Sequence, residues 1–133
     1  MLFGACRAPA VKGLLNNPDL PDRVNLLHTL TNKNLKFAGF DGTKWHVEAV
    51  DSEGDVGRYS SLVHGPEGHP SIAYYDTTNG DLKFASFDGS QWTSLVIDKA
   101  GNVGRYSALD YSPAGLPSIA YRDNGGGDLK FAG

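Results

Sequence analysis

The sequence predicts an all-β fold: a β-propeller with four-stranded blades of 47 residues, about three blades in the chain, closed into a ring by oligomerisation. A repeat is the first sign. Gly57–Ser86 (GRYSSLVHGPEGHPSIAYYDTTNGDLKFAS) returns as Gly104–Gly133, identical at 19 of 30 positions without a gap. The repeat also extends upstream. Leu35–Arg58 matches Leu82–Arg105 at 13 of 24 positions in the same register. The third sign is the texture of one copy. Short runs rich in β-branched and aromatic residues alternate with turn residues every eight to twelve positions. That spacing leaves no room for helices.

The elements follow in order along the middle copy. Tyr59–His64 is a strand, and Gly65-Pro66-Glu67-Gly68 turns the chain. Pro70–Asp76 (PSIAYYD) is a second strand, with the side chains that suit a pleated surface. Asn79-Gly80 is a hairpin signal, Leu82–Phe87 a third strand, Asp88-Gly89 another hairpin, and Trp92–Ile97 a fourth strand. Asp98–Gly104 links to the next copy. The expected core is the repeated apolar set: Leu62 and Leu109, Ile72 and Ile119, Leu82 and Leu129, Phe84 and Phe131.

This divides a single domain, 1–133, into four stretches. Residues 1–34 are a diverged first-blade segment or a cap, in which Asp22–Leu30 has the spacing of a short helix. Residues 35–56 end a first blade, 57–103 are a second, and 104–133 are a third lacking its outer strand. In repeat register Met1 falls opposite Glu48 and Leu95, inside a fourth strand. Three blades do not close a ring, which takes four to eight. The 266 residues of two chains approach the 282 of six full repeats. The expected partner is therefore a second copy, in a homodimer closing a six-bladed ring. Residues near Met1–Phe3 would add to the partner's open edge.

Composition narrows the function. Twelve basic and fifteen acidic residues give a net charge of −3, spread along the chain. Nucleic-acid binders concentrate basic residues in a patch, so no nucleic-acid partner is expected. No apolar run approaches a membrane span, Met1–Ala10 is too short for a signal peptide, and no membrane partner is expected. The single cysteine, Cys6, has no partner for an internal disulfide. His28, His46, His64 and His69 sit at non-equivalent repeat positions and offer no zinc-ligand set. Asp76, Asp81, Asp123 and Asp128 bracket hairpins without the spacing of a calcium loop, and turns favour aspartate anyway. No metal and no cofactor are expected. Lys36, Lys83 and Lys130 recur on the third strand, facing solvent or pairing with aspartates.

Two sets of residues are candidates for binding. Arg58-Tyr59 and Arg105-Tyr106 open the innermost strands of two blades. There they either ring the mouth of a central channel, where they bind an anion or a carbohydrate, or are structural arginines held by Asp76 or Asp123. Identity between copies favours the structural role, because structure recurs in every blade and a site need not. Trp45 and Trp92 begin the outer strands. Each either stacks on a sugar ring or packs its strand against the next blade, and packing is favoured.

Pro70–Trp92 (PSIAYYDTTNGDLKFASFDGSQW) resembles the blade of the small fucose-binding bacterial and fungal lectins. The resemblance lies in Pro70-Ser71-Ile72, Tyr75, Asn79-Gly80, the hydrophobic residue at 82, the aromatic at 87, Asp88-Gly89 and Trp92. It covers about half of each repeat and implies a six-bladed propeller, which the bacterial members assemble from short chains. In that family an arginine after the Ser-Ile pair and a glutamate on the third strand hold the sugar, with tryptophans of the neighbouring blade. Here Ala73 and Ala120 stand in the arginine's place, and Phe37, Phe84 and Phe131 in the glutamate's. The expectation is a lectin-like module without a fucose site of the family's type.

The function expected from these readings is non-enzymatic binding on an oligomeric propeller, with carbohydrate as the ligand class. One alternative is a scaffold without a small ligand. Another is a glycosidase- or lyase-like propeller enzyme, which would need polar residues that break the repeat. No nucleophile elbow, P-loop or catalytic carboxylate pair stands out, so no catalytic residue is expected.

Overall fold

The computed structural model describes residues 2–7 and 33–133. The helix spacing over Asp22–Leu30, and His28 with it, lies outside the described residues. The described residues form ten strands and no helix. The strands are β1 (Leu2–Arg7), β2 (Leu35–Phe40), β3 (Trp45–Asp51), β4 (Val56–His64), β5 (Pro70–Asp76), β6 (Asp81–Phe87), β7 (Trp92–Asp98), β8 (Val103–Tyr111), β9 (Pro117–Asp123) and β10 (Leu129–Ala132). They build three small antiparallel sheets, ordered β1-β2-β3, β4-β5-β6-β7 and β10-β9-β8. The middle sheet holds one full repeat, with strand bounds within a few residues of those read from the turn signals.

The first sheet departs from the repeat register. Leu2–Arg7 does not run as a fourth strand; it pairs antiparallel with β2. Cys6 lies opposite Lys36 as Tyr74 lies opposite Lys83, and Arg7 opposite Leu35 as Tyr75 opposite Leu82. The segment thus takes the place that Pro70–Asp76 holds in the middle sheet. The cause is the ladder itself. β2 is paired with β3 on one side, and its other edge needs donors and acceptors. The stretch one period before Pro70–Asp76, residues 23–29, reads RVNLLHT and carries none of the strand's letters in place.

Consecutive sheets stack face to face. One apolar seam joins Leu35 and Phe37 to Val56, Ile72, Tyr74 and Ala85. The next joins Ala73, Leu82 and Phe84 to Val103, Leu109, Ile119 and Tyr121. The middle sheet is therefore covered on both faces, and every residue of β5 is buried. The stacking is close at two glycines. A Cβ on Gly57 would stand 2.9 Å from the Leu35 Cα, and one on Gly104 would stand 2.7 Å from the Leu82 Cα. Both have positive φ, +93° and +105°, so side chains are disfavoured twice over.

Each seam also carries a polar bridge. Asp51 at the end of β3 accepts from the Tyr74 hydroxyl at 2.7 Å and from the Lys83 ammonium at 2.5 Å. One period on, Asp98 accepts from Tyr121 at 2.8 Å and Lys130 at 2.7 Å. Burial works against the Asp51 charge, but Lys83, the Glu53 N–H and Tyr74 hold its pKa below the ordinary value. Burial, with the Asp51 charge beside it, pushes the Tyr74 phenol up. Lys83 and Asp51 are almost fully enclosed, unlike the surface pairing the repeat suggests on its own.

The expected core is met in the first two seams and not beyond them. Ile72, Leu82, Phe84, Leu109 and Ile119 are buried and Leu62 is half-buried. Leu129 and Phe131, the counterparts of Leu82 and Phe84, are 82% and 70% exposed. Burial of this letter comes from the following sheet, and among the described residues no sheet packs on the Leu129 and Phe131 face. Among the described residues, no helix is long and apolar enough to cross a membrane.

Candidate functional site

The edge strands β4 and β8 of the second and third sheets lie side by side. The Ser107 hydroxyl donates to the Tyr59 carbonyl at 2.8 Å, and the Leu109 N–H donates to the Ser61 hydroxyl at 3.1 Å. Both strands begin irregularly, with register shifts after Val56 and Arg58 and after Val103 and Arg105. There Tyr59 and Tyr106 take φ of +53° and +55°, a region that bulky residues avoid. The rings of Tyr59 and Tyr106 meet at 4.5 Å between centroids, and Tyr59 meets Tyr75 at 6.1 Å. The Arg105 guanidinium lies 5.2 Å from the Tyr75 ring centre, and the Tyr75 hydroxyl donates to Asn102 at 2.8 Å.

Three of the expected site residues, Tyr59, Arg105 and Tyr106, are thus brought together. Arg58 is exposed beside them, its backbone paired with Tyr75. The expectation that Asp76 or Asp123 holds these arginines is not met. Asp76 accepts from Asn79, and Asp123 accepts from the N–H groups of Gly125 and Gly126. No ion pair among the described residues includes Arg58 or Arg105. The Arg105 Nε is shielded and has no acceptor. The Tyr75 hydroxyl is the main group holding the Arg105 pKa above its ordinary value.

The tryptophans stand apart from this cluster. Trp92 packs between Phe37 of the preceding sheet, at 5.3 Å, and Phe87, at 5.5 Å. Its indole N–H donates to Glu48 at 3.0 Å. That is the packing role, fixing β7 on the first sheet. Trp45 is 49% exposed and lies 5.5 Å from Phe40. Ala73 and Phe84 lie in apolar packing against the third sheet.

A second concave place had no signal in the sequence. A cleft of about 470 Å³ opens between the hairpin after β4 and the hairpin after β8. Its walls include Pro66, Glu67, His69, Ser71, Ser86, Phe87, Asp88, Tyr111 and Pro113. The two hairpins touch, since a Cβ on Gly115 would come within 2.8 Å of the Pro66 ring. Ser71 and Tyr111 share a hydroxyl–hydroxyl hydrogen bond of 2.8 Å across the sheets. The His69 ring stands edge-on to Phe87 at 6.1 Å. Asp88 accepts from the N–H groups of Ser90 and Gln91, and the Gln91 bond above all keeps its carboxylate ionised below the usual range. Ser71 and Tyr111 are 40 residues apart. Only stacking of successive repeats brings them together, which explains why turn signals alone did not reveal the cleft.

No protein-family model matches the chain, and no curated protein and no solved structure matches it.

Proposed function

We propose that this chain is a non-enzymatic, glycan-binding module built on propeller blades, with its ligand seated between successive blades. The observation that carries this is the cleft of about 470 Å³ between the second and third sheets. Its size falls in the ordinary range of small-ligand sites. Its lining combines an aromatic ring, Phe87, and two prolines with hydroxyls, an imidazole and carboxylates. Such a mixture suits a ligand with an apolar face and many hydroxyls, as a pyranose has. The face-to-face stacking of equivalent sheets and their common strand order support the propeller architecture.

The exposed Leu129 and Phe131 support association with a second copy. Their counterparts are covered by the next sheet, and another such sheet is the surface that complements them. Leu2–Arg7 is engaged in its own chain's first sheet, so the contact proposed is between faces rather than by strand addition. A glycan array on the purified protein tests the binding reading. Wild-type protein retains a set of glycans, and Phe87→Ala or Tyr111→Phe loses them while keeping the fold. Absence of any retained glycan overturns the reading.

A further inference from the structure

The arginine–tyrosine cluster at the start of β4 and β8 lies away from the cleft. Ser71 lines the cleft and Tyr75 lines the cluster, and four residues of one strand separate them by about 13 Å. Three observations set the cluster apart from ordinary packing. Two tyrosines hold a left-handed backbone, which is costly at a non-glycine residue. Glycine is abundant in this chain and would remove that cost, yet both copies carry tyrosine. Neither arginine has an acidic partner among the described residues, although the chain has more acids than bases. Tyr106 presents 62% of its surface to solvent beside them.

Guanidinium groups match planar oxyanions in fork geometry, and an open aromatic face takes the carbon face of a ring. We propose that Arg58, Arg105, Tyr59 and Tyr106 form a second site, for a sugar carrying a carboxylate, of the uronic-acid class. The proposal rests on the glycan-binding reading and adds an acidic ligand at a separate place. The exposed Arg58 and the outer guanidinium nitrogens of Arg105 take the carboxylate, the shielded Arg105 Nε being out of a ligand's reach. Tyr106 stacks on the ring, and its contact with Tyr59 sets the ring's position. Asn102 fixes Tyr75, on which Arg105 rests. The acidic groups bound nearby, Asp76 and Asp123, are engaged by their own hairpins and do not compete for the guanidinium groups.

Calorimetric titration at constant ionic strength tests this with three probes: a glucuronate oligosaccharide, the matching glucose oligosaccharide, and inorganic phosphate. The expected result is binding of the glucuronate probe at least about tenfold tighter than either other probe. Arg58→Gln and Arg105→Gln each weaken it about tenfold or more, and Leu95→Ala, exposed on β7 and outside both places, leaves it unchanged. Tyr106→Gly supplies an independent check on folding. Relief of the backbone raises the thermal midpoint while removal of the ring weakens glucuronate binding. Equal binding of the charged and neutral sugars overturns the proposal, as does glucuronate binding untouched by both arginine variants. Phosphate binding as tight as glucuronate marks a generic anion patch and overturns the sugar assignment. Neutral glycans bound in a Phe87-dependent way, with no glucuronate binding, leave the cleft reading standing and sink this one alone.

Discussion

Lys83 and Lys130 show how one letter of a repeat acquires two energies. Both occupy the same position of β6 and β10, and both reach an aspartate of the preceding sheet. The Lys83 side chain is 8% exposed and its Asp51 partner 4%, whereas Lys130 is 33% exposed. Removing Lys83 strands a buried carboxylate, which costs about 3–5 kcal/mol. Removing Lys130 leaves Asp98 near solvent, where such pairs are worth about 1 kcal/mol or less. Chemical unfolding of Lys83→Ala and Lys130→Ala is expected to show that order, and equal effects would contradict it. Gly104→Ala belongs to the same scale. The positive φ alone is worth about 1–3 kcal/mol, and contact with Leu82 adds to it. The recurrence of both lysines and glycines was plain in the sequence. Their burial was not, because burial depends on the neighbouring sheet and no single copy records it.

At the scale of strands, turn chemistry made the middle sheet legible. Gly65–Gly68, Asn79-Gly80 and Asp88-Gly89 mark three hairpins, and β5 has the bounds expected from its composition. The first strand was not legible, since Leu2–Arg7 matches the repeat only at Ala5 and Arg7, the counterparts of Ala73 and Arg122, and not at the 47-residue spacing; it pairs by filling an edge. The third sheet was misjudged on one face. Leu129 and Phe131 repeat the letters of Leu82 and Phe84 but are exposed, with no described sheet packed on them. Leu82→Ala is therefore expected to cost about 2–5 kcal/mol. In the isolated chain Leu129→Ala is expected to stay within about 0.5 kcal/mol. A comparable loss at both would show that Leu129 is covered. The seams also set the acid response. Asp51 and Asp98 have depressed pKa values in the folded chain, Asp98 chiefly through Lys130. Their contribution is present above the unfolded carboxylate value, about 3.9, and is lost as pH falls through the folded values. Asp81, raised mainly by burial, acts in the opposite sense but has no lysine bridge to lose. The thermal midpoint is expected to drop between pH 5 and pH 2, and a midpoint flat across that range would contradict the bridges' role.

For the whole molecule, the repeat made the all-β fold and its stacked units readable, while the cleft between the second and third sheets came only from the stacking. Trp92, a candidate for sugar stacking, turned out to hold the seam between the first two sheets. The arginines, read as structural, turned out to lack the aspartates that would make them so. Association through the Leu129 and Phe131 face predicts twice the monomer mass of 14.2 kDa by light scattering at micromolar concentration. Leu129→Asp should return it to the monomer. A monodisperse wild-type monomer would remove the second copy from the account. Ala73 and Phe84 are buried in the second seam. The glycan array is the most direct measurement of the central claim, binding in the cleft between two stacked units. Wild-type protein is expected to retain glycans that Phe87→Ala loses. Fucose alone is not expected among them. An empty array, or a retained set that Phe87→Ala and Tyr111→Phe leave unchanged, would contradict it.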